Sequence, residues 1–299
     1  MRTVVRVQTM AVRKHSHASG SAMLKQILLG LDDTPSSIRA KEIALSLAQM
    51  HAAGVTALTI VDAARIAPPE PVPMGGDSYK QHKDEVLVGR TREELGELAR
   101  RFTYECHAAS INCDVAVREG DAIDALTAAS DIHDLIVIGR DAAFHADQGG
   151  KVSQIVERLL RQSPRPLIVS PSEKQNTDRV IVAYDGSVPA MRALQMFCLL
   201  GVAGKSEVTV LTVNAARAAA EAISARAVHH LASHAVSARA RVVESAADPT
   251  NAIVDIASEL DARLIVMGTY GRRGWREYLL GSTADRLVSE SKSPLFIHH

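Results

Sequence analysis

The chain has 299 residues, enough for two ordinary domains, and 46% of them are apolar, so a buried core is available. Its 34 basic residues are matched by 34 acidic ones, a neutral balance that gives no support to a nucleic-acid or membrane-surface role. No apolar run reaches the roughly 18 residues of a membrane span, and the three cysteines (Cys106, Cys113, Cys198) lack metal spacing and leave an odd thiol, which suits a reducing cytoplasm.

The first 22 residues differ from the rest. Arg2, Arg6, Arg13 and Lys14 face no acidic residue, and His15 to Ser21 reads as loop. Without a continuous apolar stretch, a secretory signal is not expected. The segment 1–22 is expected to be a disordered tail, with Met23 as an alternative start and a basic targeting segment as the other reading.

Lys25 to Leu31 is a short apolar strand, punctuated by Asp32-Asp33-Thr34-Pro35. A helix follows with Ile43, Leu47 and Met50 on one side, stopped by Gly54. Val55 to Val61 is the next strand. Ala67 to Gly76 carries four prolines and two glycines and is irregular, either a surface insertion or an extended partner-binding segment. Lys83 to Ser110 is helical, anchored by Leu87, Leu95 and Leu98. Then come a strand (Cys113 to Val117), a helix (Asp121 to Ala129), a buried strand (Leu135 to Ile138, ending at Gly139), a helix (about Val152 to Gln162) and a last strand (Pro166 to Val169).

The same order repeats after the polar linker Ser172 to Asp178. The strand ending near Asp185 parallels that before Asp32, and Glu207 to Val213 parallels Val55 to Val61. Asp248 onward parallels Asp121 onward, Leu264 to Gly268 parallels Leu135 to Gly139, and Pro294 to Ile297 parallels Pro166 to Val169. Asp32 to Gly139 spans 107 residues and Asp185 to Gly268 spans 83, so the first half carries 24 extra residues, mostly the proline loop and a longer helix. Strands apolar throughout, alternating with helices, predict parallel sheets covered on both faces. The fold class is therefore α/β, with two tandem doubly wound domains: residues 23–172 and 173–299. Their closing strands, Leu167 to Val169 and Leu295 to Ile297, have edges that need partners, and pairing them gives an intrachain pseudo-dimer. Ligands in such sheets bind beyond the carboxyl ends of the strands where strand order reverses, and Asp185, Val213 and Gly268 all sit at ends of that kind.

After Gly268 comes Gly271, and nine residues later Gly281-Ser282-Thr283 opens an apolar pattern with helical spacing at Ala284, Leu287 and Val288. A strand, a glycine-rich loop and a helix N-terminus make an anion site from free backbone N–H groups and the helix dipole. The same Ser282 to Asp285 stretch also reads as a capping box, compatible with that role.

On the Gly268-x2-Gly271-x9-Gly281-Ser282 spacing, the strand-Asp185-Gly-Ser187 start and the closing Pro294-Leu-Phe-Ile strand, the chain resembles a tandem universal stress protein over residues 24–299. The resemblance implies an adenine nucleotide alpha hydrolase-like fold and ATP, with magnesium carried by its phosphates, bound by the second half as a regulatory ligand. It implies that Asp185 approaches the adenosine, that Ala183 and Val213 lie near the adenine, and that Gly268, Gly271, Gly281, Ser282 and Thr283 hold the ribose and phosphates. It implies a stress-response role through an unidentified protein partner. A homodimer, a weak magnesium-dependent ATP hydrolase with no catalytic residue evident beyond Asp185, and a nucleotide-free interaction scaffold are the alternatives.

The first half departs from this pattern. Arg140, Asp141 and Ala143 follow Gly139, Ser153-Gln154-Ile155 stands in place of Gly-Ser-Thr, and Asp141 and Asp147 would repel phosphate. Gly149-Gly150-Lys151 fails as a P-loop because valine follows the lysine. This half is expected to be a degenerate site that keeps only Asp32. Arg272, Arg273 and Arg276 either meet phosphate or face solvent. His230 and His234 have a zinc-compatible spacing but no third ligand, and an exposed alanine-rich helix from Ala215 to Ala238 accounts for them.

Overall fold

A computed structural model describes residues 5–7, 23–71, 76–144, 152–269 and 282–299. The first half contributes β2 (Gln26–Gly30), β3 (Gly54–Val61), β4 (Cys113–Glu119), β5 (Leu135–Gly139) and β6 (Leu167–Ser170). The second contributes β7 (Arg179–Ala183), β8 (Glu207–Asn214), β9 (Ala238–Glu244), β10 (Leu264–Gly268) and β11 (Leu295–His298). Their spatial orders, β4-β3-β2-β5-β6 and β9-β8-β7-β10-β11, are the same doubly wound order used twice, and all pairs within each half are parallel. Three residues of the segment expected as a tail form β1 (Val5–Val7), which pairs antiparallel with β4.

The halves join edge to edge. β6 and β11 pair antiparallel, with Leu167 opposite Ile297, Ile168 opposite Phe296 and Val169 opposite Leu295. The result is one sheet of eleven strands, in which the closing-strand edges are satisfied by each other.

Helices α1 (Pro35–His51), α3 (Asp77–Ala108), α6 (Val188–Leu199) and α7 (Arg217–Ser233) cover one face, and α4 (Ala122–Ala129), α5 (Gln154–Gln162), α8 (Pro249–Leu260) and α9 (Ser282–Glu290) the other. The four-residue α2 (Ala63–Ile66) follows β3. Each face holds one apolar cluster that runs through both halves. On one of them Phe197 of α6 meets Phe296 of β11 edge to face at 6.0 Å.

Side-chain caps start several of these helices. Thr34 Oγ1 accepts the Ser37 N–H ahead of α1, Ser187 the Ala190 N–H ahead of α6, Asp121 the Ile123 and Asp124 N–H groups ahead of α4, and Asp248 the Thr250 N–H ahead of α8. Prolines sit in the first turn of α1, α6 and α8, where no N–H is missed.

Several expected details differ. Ala52, in the left-handed region at φ 51°, ends α1, whereas Gly54 begins β3. The buried face of α1 is Ala40, Ala44, Leu47 and Ala48, while Met50 is half exposed. The long helix α3 starts at Asp77 rather than Lys83. Its buried face begins only at Thr91, so Leu95 is an anchor and Leu87 is exposed. α7 stops at Ser233, and residues 238–244 form an edge strand, β9. His234 is therefore the C-cap of α7, with its ring 4.8 Å from that of His230.

His298 closes β11 with its Nδ1 buried and without a hydrogen-bond partner. Burial, then the nearby His299 and Arg192, lower its pKa from 6.5 to about 4. A depressed folded pKa gives stability that is present above pH 6.5 and lost as pH falls toward 4. The unfolding free energy, followed by urea titration at pH 7 and pH 4.5, is expected to fall less in His298→Gln than in the parent. The expected difference is about 2 kcal/mol, below the full shift because the ring keeps part of its solvent.

Candidate functional site

The second half brings its sequence-marked residues to one rim. Val266 pairs with Val182, and Ala183 with Leu211. Continuing these registers by one or two residues sets Gly268, Asp185 and Val213 at the carboxyl ends of three adjacent strands. From β7 the chain winds outward through β8 to β9 and then crosses back to β10 on the other side of β7, so this is the point where strand order reverses. Ala183 and Val213 are half-buried there, packed on the edge of an apolar cluster. Asp185 is half-buried, and its Oδ1 accepts the Ser187 N–H at 2.9 Å, in the turn that starts α6.

Gly268 has a packing reason as well. A Cβ there would lie 2.5 Å from the carbonyl carbon of Pro189 and 2.6 Å from the Ala190 nitrogen. The N-terminus of α6 thus rests directly on the end of β10. Gly139 repeats the arrangement, since a Cβ there would lie 2.6 Å from the Ser37 nitrogen at the start of α1. Ser282 is exposed and Thr283 half-buried in the first turn of α9, which begins at Ser282 itself. Gly271, Gly281, Arg272, Arg273 and Arg276 lie outside the described residues, as do Asp147 and Gly149 to Lys151.

At the matching rim of the first half, Asp32 is 1% exposed. Its Oδ2 accepts the Ala143 and Phe144 N–H groups at 2.8 and 2.7 Å, and its Oδ1 the Asp33 N–H at 2.7 Å. Burial raises the Asp32 pKa, against the opposing pull of these three N–H groups. Phe144 is fully buried with φ at 50°, so the segment after β5 folds back over the carboxylate and closes the crevice. By sequence this half keeps Gly139 and lacks the second glycine and the Gly-Ser-Thr; the plug at Phe144 is seen only in the fold.

Arg140 was also missed. It follows Gly139 and reaches across the seam, where its Nη1 donates to the Ser291 carbonyl at 2.9 Å and to those of Ser289 and Val288 at 3.3 and 3.4 Å. These lie at the C-terminal end of α9, where a cation and a donor are both favourable.

The crevice at a strand-order reversal, built twice in one chain, has a counterpart among known families. The model of the universal stress protein family matches residues 23–171 and again residues 176–299. The chain belongs to the universal stress protein family. A curated family member from Synechocystis is 22% identical over 178 residues, 60% of this chain and 62% of its own length. One from Methanocaldococcus jannaschii is 43% identical over 49 residues, 16% of this chain and 29% of its own. The matches thus span less than two thirds of either relative. Among solved structures, a universal stress protein from Archaeoglobus fulgidus aligns with a TM-score of 0.66 at 20% identity, over 91% of this chain and 95% of that one. A Pseudomonas aeruginosa protein aligns at 0.57 and 14% identity over 93% of each. These two share the universal stress protein chain's fold along nearly its whole length. Among the described residues, no helix is long and apolar enough to cross a membrane.

Proposed function

We propose that residues 173–299 form a nucleotide-holding domain that binds ATP as a regulatory ligand, and that residues 23–172 form its degenerate partner domain. The observation that carries this reading is the contrast between two equivalent aspartates. Asp32 is buried under the backbone of Ala143 and Phe144, whereas Asp185 is half-buried at a rim edged by Ala183 and Val213. The described residues fit the adenosine end of the ligand: an apolar edge for a base beside a carboxylate acceptor for ribose hydroxyls. The phosphate end would rest on the glycine spacing that ends in Gly281 and on the N-terminus of α9, where free N–H groups favour anions. Bound there, ATP would alter the surface offered to a protein partner in the cytoplasm.

Equilibrium binding of ATP to the purified protein tests this. Gly281→Val is expected to lower affinity at least about a hundredfold, because a branched side chain stands where phosphate must approach backbone N–H groups. Unaltered binding in that variant, or a mass spectrum of small molecules released on denaturation that holds no nucleotide together with no binding of added ATP, would overturn the proposal.

A further inference from the structure

The end of α7 carries a pair of histidines that neither crevice uses. His230 is half-buried in the last turn, and His234, the C-cap, is exposed. Four residues apart, they lie one above the other on one side of the helix. Spacing alone permits a metal, and the fold brings the two rings together, with centroids 4.8 Å apart and planes at 58°. An ion about 2.0–2.1 Å from one nitrogen of each ring lies about 3.2 Å from each ring centre, which sets the centres about 4.5 Å apart for a right-angled pair and about 5.2 Å for a tetrahedral one. The observed separation falls between these values. The rings are also unclaimed, since among the described residues neither imidazole takes part in a hydrogen bond or ion pair. Finally, the pair stands at the C-terminal carbonyls of α7, where the helix dipole favours a cation.

We propose that His230 and His234 bind one divalent transition-metal ion of the zinc class through one nitrogen of each ring. Among the described residues no group of three or more histidines, cysteines or carboxylates gathers to hold a metal, so water completes the shell. Two nitrogen donors without a carboxylate suit Zn²⁺, Ni²⁺ and Cu²⁺ and not Mg²⁺ or Ca²⁺, which call for oxygen. His229 is adjacent in sequence but about 100° away around the helix axis, and it stays outside the pair. α7 runs back from the carboxyl end of β8 to the amino end of β9, so the site lies at the opposite end of the second half from Asp185. It does not depend on the ATP reading.

The test titrates zinc chloride and, separately, magnesium chloride into the full chain at about pH 7.5, where imidazole is mostly neutral. The ring signals of each histidine are followed by NMR, so that zinc at any other histidine is read apart. Zinc is expected to shift His230 and His234 together and saturably and to leave His229 unmoved, while magnesium at equal ionic strength shifts neither. His234→Ala, an exposed substitution, is expected to weaken zinc at His230 at least about tenfold, because the second ligand no longer binds within the same molecule. His229→Ala is expected to leave zinc binding unchanged. No saturable shift of the two rings, movement of only one, an equal response to magnesium, or undiminished zinc binding at His230 in His234→Ala overturns the inference.

Discussion

Gly268→Ala is expected to lower the unfolding free energy by about 3 kcal/mol, at the upper end of overpacking costs. The added methyl would stand 2.5 Å from the backbone of Pro189, and helix backbone cannot yield as a flexible side chain does. Gly139→Ala is expected to cost a similar amount, because its Cβ would meet the Ser37 nitrogen at 2.6 Å. The pair separates packing from ligand approach, since Gly139 sits above a closed crevice. Urea unfolding of both variants reads the result. If Gly268→Ala unfolds at the parental midpoint while ATP affinity alone falls, the glycine is there for the ligand and the packing account is wrong.

The second large effect belongs to Asp32. Asp32→Ala strands the N–H groups of Ala143 and Phe144 in the interior, and orphaned buried donors cost about 1–3 kcal/mol each. Removing a buried carboxylate returns part of that, so a net loss of about 3 kcal/mol is expected. Asp32→Asn keeps an acceptor and is expected to lose less than half as much. Amide hydrogen exchange gives a local check, as protection at Ala143 and Phe144 should drop in Asp32→Ala even at parental global stability. Unchanged protection there would show that the carboxylate does not hold the plug.

Much of this architecture could be read from the chain because its inner strands are buried on both faces. Runs such as Leu135 to Ile138 and Leu264 to Met267 carry no alternation to misread, and their recurrence fixed the tandem plan and the pairing of Leu167 to Val169 with Leu295 to Ile297. Where burial is one-sided the signal fails. β9 is an edge strand with Arg239 and Ala240 exposed, and its sequence offers no apolar run. Leu87 lies on a helix of 32 residues, about 48 Å long, whose first turns extend past the sheet, so helical spacing alone could not say where its apolar face stops being covered. At the rims, the aspartates and terminal glycines were legible as repeated punctuation. The plug on Asp32 was not, because a non-glycine residue at positive φ in Phe144 leaves no compositional trace. The reach of Arg140 across the seam depends on a contact 151 residues distant.

The antiparallel meeting of β6 and β11 has a geometric corollary. The strands of one half point opposite to those of the other, so the doorway beside Asp185 and the plugged crevice beside Asp32 lie at opposing ends of a common slab. A protein gripping one end would leave the other free. Any conversation between them has the shared strands, the helices packed along both faces and the Arg140 contact to travel through.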